Sequence, residues 1–145
     1  MKAINLYDKD FYAWTKKQEE LLINNELDKL DLQHIAQEIH IMGASELREL
    51  DNRLIILLMH LLKWQYQPNL RSRSWELTIK EQRRALIKHL SKMPSLKAKL
   101  PDLFLEAYED AILKAEQETG LDESVFPKKC EWVMEKVLDF NFYPQ

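Results

Sequence analysis

The chain has 145 residues, 46% apolar and 31% charged, with a net charge of −3. This balance excludes a disordered chain, and a single cysteine, Cys130, excludes an internal disulfide. The length suits one domain, able to bury roughly two thirds of the surface its unfolded chain exposes, and with only Gly43 and Gly120 as glycines the chain suits helices better than a hairpin-rich sheet.

The chain opens on MKAINLYDKD, which lacks the apolar core of a secretory leader. Asp8 or Asp10 then caps a first helix whose Phe11, Trp14, Leu21 and Leu22 are an expected core face. NNELDKLD is a polar connection. Asp31 caps the most informative element. Leu32, Ile35, Ala36, Ile39, Gly43, Leu47, Leu50, Leu54, Leu57, Leu58, Leu61 and Gln65 recur at helical spacing, one stripe along a helix predicted over residues 32–67. Gly43, beside Ala44 and Ser45, marks a bend or a close approach by another helix. Beyond it the stripe widens, because Ile55, Ile56 and Met59 point off it. LIILLMHLL, residues 54–62, is therefore apolar nearly all round. Such a stretch runs through the middle of a domain or has its outer face covered by a partner, and it is far too short to span a bilayer. Pro68 ends the helix, leaving Lys63, Trp64, Tyr66 and Gln67 in a last turn where core meets water.

NLRSR is the next turn. Ser74 is the expected cap of a third helix with Trp75, Ile79, Leu86, Leu90 and Met93 inside. Gln82 falls within that stripe and needs a buried partner, for which Gln65 is the candidate. Pro94-Ser95 breaks the helix and Pro101 opens a fourth. Leu103, Phe104, Ala107, Tyr108, Ala111, Ile112 and Ala115 are its apolar face, and Gly120-Leu121 has the form of a Schellman stop. A loop with Phe126-Pro127 precedes a short fifth helix near residues 132–138, and the FNFYP tail is expected to dock its rings. The expectation is an all-α, single-domain helical bundle of about five helices around one long central helix.

Charge is segregated. Residues 1–62 hold 7 Lys/Arg and 11 Asp/Glu, residues 63–99 hold 10 and 2, and residues 100–145 hold 4 and 11. Lys80, Arg84 and Lys88 face outward together on the third helix, and Arg71 and Arg73 lie in the turn feeding it. These five are the candidate site for an anionic partner: nucleic acid or an acidic protein surface. The competing account is internal neutralisation, with the basic helix lying against acidic neighbours. A pI near 5.8 argues against strong nonspecific nucleic-acid binding.

Glu46, Arg53, His60 and Gln67, spaced by seven, run beside the apolar stripe, with Glu49 one turn before Arg53. This line is either a reactive cleft centred on His60 or a satisfied structural seam, and the seam is preferred. His34 and Glu38 at i, i+4 make a pair common by chance, so no metal or cofactor is expected. Cys130, after Lys128 and Lys129, reads as a packing or surface cysteine, although those lysines would lower its pKa. Two distant glycines cannot build a phosphate loop.

Several blocks together resemble a bacterial family called domain of unknown function 29. They are YDKDFYAW at 7–14, IAQEI, MGASE at 42–46, HLLKWQYQP at 60–68, R..SW..TI.EQR from Arg71 to Arg83, ETGL with FP and Cys130, and the terminal FYP. The resemblance covers nearly the whole chain. It implies an all-α fold and an origin among bacteria such as cyanobacteria, and it carries over no activity and no catalytic residues. QEIH stands where that family's pattern is more acidic.

The functional expectation is a cytoplasmic protein-interaction or regulatory module, either a homo-oligomer or a regulatory partner of another protein, resting on the all-round apolar stretch 54–62. The alternative is a nucleic-acid-binding protein using the basic segment, and third an enzyme with a His60 cleft. No membrane association is expected.

Overall fold

The computed structural model describes residues 5–145, and the first four, part of the segment read for a leader, lie outside the described residues. The described residues contain no strand. Their helices are α1 (Leu6–Lys9), α2 (Phe11–Ile23), α3 (Leu32–Tyr66), α4 (Arg73–Lys92), α5 (Leu100–Thr119) and α6 (Met134–Val137), with short 3₁₀ turns between several of them. The protein is all-α with a long central helix, which ends one residue before the expected position. The chain forms two compact units, one ending at Ser45 and one from Glu46 to Gln145.

In the first unit, Asp10 caps α2 by accepting the Ala13 amide at 3.1 Å. Trp14, Gln18 and Leu21 are buried, whereas Phe11 and Leu22, expected inside, are exposed. Gln18 is drawn in because its side-chain oxygen accepts the Asp31 amide at 2.9 Å. Asp31 is the hub of the unit. It accepts the Trp14 indole N–H at 3.0 Å, lies 2.6 Å from His34 Nδ1, and caps α3 through the His34 amide at 3.4 Å. These bonds, the His34 side-chain contact foremost, hold its carboxyl below the usual carboxylate range. Tyr7 stacks on His34 with centroids 4.0 Å apart and donates its hydroxyl to Glu38.

The α3 stripe is not enclosed here. Leu32 and Ile39 are 66% and 63% exposed, as is Met42 beside the stripe at 68%, and beyond the helix's own backbone no described residue lies within 4 Å of where a Cβ on Gly43 would sit. The expected close helix approach at Gly43 is therefore absent, and α3 passes through it unbroken. The reason is supply: α2 has 13 residues and buries three, too little to cover the stripe as far as Gly43.

The second unit holds the aliphatic core. Leu50, Leu54, Leu57, Leu58 and Leu61 of α3 join Ile79 and Leu86 of α4, Ala107, Ala111 and Ala115 of α5, and Val137 of α6, all without measurable exposure. Burying each large aliphatic contributes about 1.5–3 kcal/mol. The all-round apolar stretch 54–62 is thus enclosed by this chain itself, which removes it as a reason to expect an oligomer.

Local chemistry sets the ends. Ser72, not Ser74, caps α4, its Oγ accepting the Trp75 amide at 3.2 Å. Ser72 has the extended backbone a cap requires, whereas Ser74 is already helical. Gly120 ends α5 at φ +76°, its amide bonding the Glu116 carbonyl at 2.9 Å. The Leu121 amide goes to Thr119 Oγ1 at 3.1 Å instead of back into the helix, so the stop is the simpler left-handed form and not a Schellman motif. Pro94 and Pro101 stand at the first turns of their helices. In the tail Pro144 is buried and Tyr143 packs on Trp64 with centroids 4.8 Å apart.

Candidate functional site

The outer face of α4 follows from its sequence. With Ile79, Gln82, Arg83, Leu86, His89 and Leu90 inside, the exposed positions include Leu77, Lys80, Glu81, Arg84, Ile87, Lys88 and Lys92. The four cations recur every fourth residue, so they form one ridge. Phe140, delivered by the turn after α6, stands beside them. Together they line an open groove of about 950 Å³, with exposed Leu77, Ile87 and Phe140 as its apolar surface and Glu81 its lone acidic lining residue among the described residues. None of Lys80, Arg84, Lys88 and Lys92 pairs with a carboxylate of the described residues. Internal neutralisation of this helix, the competing account of the basic segment, therefore does not occur at these four positions.

Arg71 and Arg73 are not part of the groove. Arg71 faces the tail: its Nε donates to the Trp64 carbonyl at 2.8 Å, Nη2 reaches the Pro144 carbonyl at 3.5 Å, and its guanidinium lies 5.0 Å from the Trp64 ring centroid. Arg73 is exposed at the first residue of α4. Lys63 is also spent internally, bonded to Glu118 at 3.2 Å and 4.8 Å from the Trp75 ring centroid. Lys92 belongs to the ridge and was legible from the four-residue spacing. Phe140, 48 residues further on, left no such signal.

The polar seam divides. Glu46 and Glu49 meet His89 of α4, whose Nε2 lies 2.8 and 3.4 Å from their carboxylate oxygens. Arg53 reaches Glu49 at 3.5 Å and donates to Gln82 at 3.2 Å. Gln82 is therefore partnered by Arg53 and not by Gln65, because the guanidinium is long enough to cross to α4. His60 keeps to its own helix, with Nδ1 2.9 Å from the Ile56 carbonyl. Burial holds its pKa below the ordinary histidine value. Gln67 is the residue at which α3 stops. No single cleft gathers these five side chains.

Glu46, Glu49 and His89 place one ligand atom each within 4.8 Å of one another. The other imidazole nitrogen, Nδ1, is buried without a hydrogen-bond partner. A metal-bound histidine directs that nitrogen to a carbonyl or carboxylate. The cluster is accordingly read as an imidazole held between two carboxylates. His34 and Glu38 are engaged apart from each other, with Asp31 and Tyr7. Cys130 is half-buried, its Sγ 3.4 Å from the Trp132 carbonyl, and burial pushes its thiol up, opposite to the lowering expected from Lys128 and Lys129.

Fold and site define an all-helical protein with a basic, partly apolar groove on one outer helix. No helix of the described residues is long and apolar enough to cross a membrane. The chain belongs to the family described as domain of unknown function DUF29, whose family model matches residues 6–143. No curated protein and no solved structure matches it.

Proposed function

We propose that this protein is a cytoplasmic interaction module that docks an acidic, amphipathic helical segment of a protein in the α4 groove. The observation that carries the reading is the ridge Lys80–Arg84–Lys88–Lys92, unpaired among the described residues and set beside exposed Leu77, Ile87 and Phe140. A helix with carboxylates on one edge and leucines on the other meets both features at once, the mode in which an amphipathic helix lays its apolar face into a groove. A nucleic acid would use the ridge and leave the aliphatic surface wet. A single, packed cysteine suits a reducing compartment.

The test is fluorescence anisotropy with a labelled synthetic peptide carrying Leu at helical spacing and Glu elsewhere. A lysine-substituted peptide, a single-stranded RNA and a DNA duplex are the comparison probes. The acidic peptide is expected to bind, with affinity falling as salt rises, and the triple variant Lys80→Glu/Arg84→Glu/Lys88→Glu to lose it. Equal binding of the lysine peptide, or RNA or DNA binding tighter than the acidic peptide, overturns the reading.

A further inference from the structure

The groove has a counterpart on the same chain. With Ala107, Tyr108, Ala111 and Ala115 of α5 turned inward, its outer face carries Asp102, Glu106, Glu109 and Asp110, and Leu105 and Leu113 are 65% and 50% exposed there. These four carboxylates form no salt bridge among the described residues, as the four cations of α4 form none. Burial, and after it the charges of Asp110 and Glu106, also raise the carboxyl of nearby Asp51.

The two faces match in period and carry opposite signs. Lys80, Arg84, Lys88 and Lys92 recur every four residues, as do Asp102, Glu106 and Asp110. The basic ridge spans about 18 Å of helix and the acidic one, from Asp102 to Asp110, about 12 Å, with the exposed Lys114 at its next position. Each ridge is accompanied by aliphatic side chains, Leu77 and Ile87 on one and Leu105 and Leu113 on the other. We infer that the segment docked in the α4 groove is the outer face of α5 from a second copy of this chain. The inference rests on the groove reading above and names its occupant. A partner with the required sign, spacing and apolar edge is present at the concentration of the protein itself.

Analytical ultracentrifugation of the full chain tests it by exchanging the charges. Wild type is expected to self-associate with rising concentration and to dissociate with added salt. Lys80→Glu/Arg84→Glu/Lys88→Glu alone, and Glu106→Lys/Glu109→Lys/Asp110→Lys alone, each weaken association by about 10- to 100-fold, because like charges then face each other. Mixing the two restores it, since each reversed face meets an opposite one. All six side chains are exposed, and circular dichroism verifies that both variants fold. A wild type that stays monomeric, association unchanged in either variant, or a mixture that fails to associate overturns the inference. If wild type is monomeric and the acidic peptide still binds, only the second copy falls; if the peptide also fails, the groove reading falls with it.

Discussion

Arg83, in the middle of α4, donates through Nε to the backbone carbonyl of Val137 at 2.7 Å. The same guanidinium donates through Nη2 to the Phe142 carbonyl at 2.7 Å and lies 5.5 Å from the Tyr143 ring centroid. The side chain has no solvent exposure, and burial lowers its pKa. Nη1 has no hydrogen-bond partner. One fork thus ties the segment from Val137 to the tail to α4, and with it Phe140 to the groove. Arg83→Met leaves two carbonyl acceptors unmet, each worth about 1–3 kcal/mol. The expected loss is about 3 kcal/mol in urea unfolding, with earlier cleavage by trypsin in the tail. Arg83→Lys keeps the charge but not the fork, so an intermediate loss separates geometry from charge. A wild-type melt for Arg83→Met would show that the tail docks through its rings alone.

Lys63 closes α3 in a similarly internal way. Its ammonium is covered by Trp75 and bonded to Glu118, while Glu118 is itself half-exposed. The ring contact is therefore expected to matter more than the ion pair: a partly desolvated cation–π contact contributes about 0.5–2 kcal/mol, an exposed ion pair about 0–1. Glu118→Gln should cost less than Trp75→Leu in thermal unfolding. The reverse order would assign the last turn of α3 to electrostatics.

How much of this the sequence disclosed depends on the range of the interaction. Period and punctuation are local, so the long helix, its stop before Pro68, the α5 start at Pro101 and the outward turn of Lys80, Arg84 and Lys88 were all legible. Arg83 was not, because a cation inside an apolar stripe declares itself only through the two carbonyls it meets in a segment more than 50 residues away. His89 was hidden for the same reason, since its carboxylate partners lie on α3. The enclosure of 54–62 is one of the two outcomes its all-round apolarity allowed, whereas the exposure of Leu32 and Ile39 departs from the enclosed face their spacing implied. Hydrophobic spacing shows which face of a helix is apolar, not whether enough chain exists to cover it.

His60 gives the protein a pH dependence of known sign. Burial lowers its folded pKa, and the nearby Lys63 adds to that while its bond to the Ile56 carbonyl and the charge of Glu118 oppose it. Below about 6.5, the unfolded-state value, the unfolded chain binds the proton more readily than the folded one. Stability is therefore fully present above that pH and declines as pH falls through the window down to the folded pKa. His60→Gln should flatten this limb of a stability–pH curve measured by urea unfolding. An unchanged slope would assign the acid sensitivity to other groups.

The two glycines make opposite predictions from the same substitution. Gly43 lies mid-helix with open space around it, so Gly43→Ala removes backbone freedom from the unfolded chain and adds no clash. It should stabilise by about 0.5–1 kcal/mol, read as a rise in Tm of about 2–4 °C. Gly120 sits at φ +76°, where an L side chain meets the following carbonyl, so Gly120→Ala should cost about 1–2 kcal/mol despite equally open surroundings. Because an added Cβ meets no described residue within 4 Å at either position, local chain aside, backbone conformation is the variable that separates them. A loss of stability in Gly43→Ala at high protein concentration alone would instead show that another copy packs closely against that turn of α3.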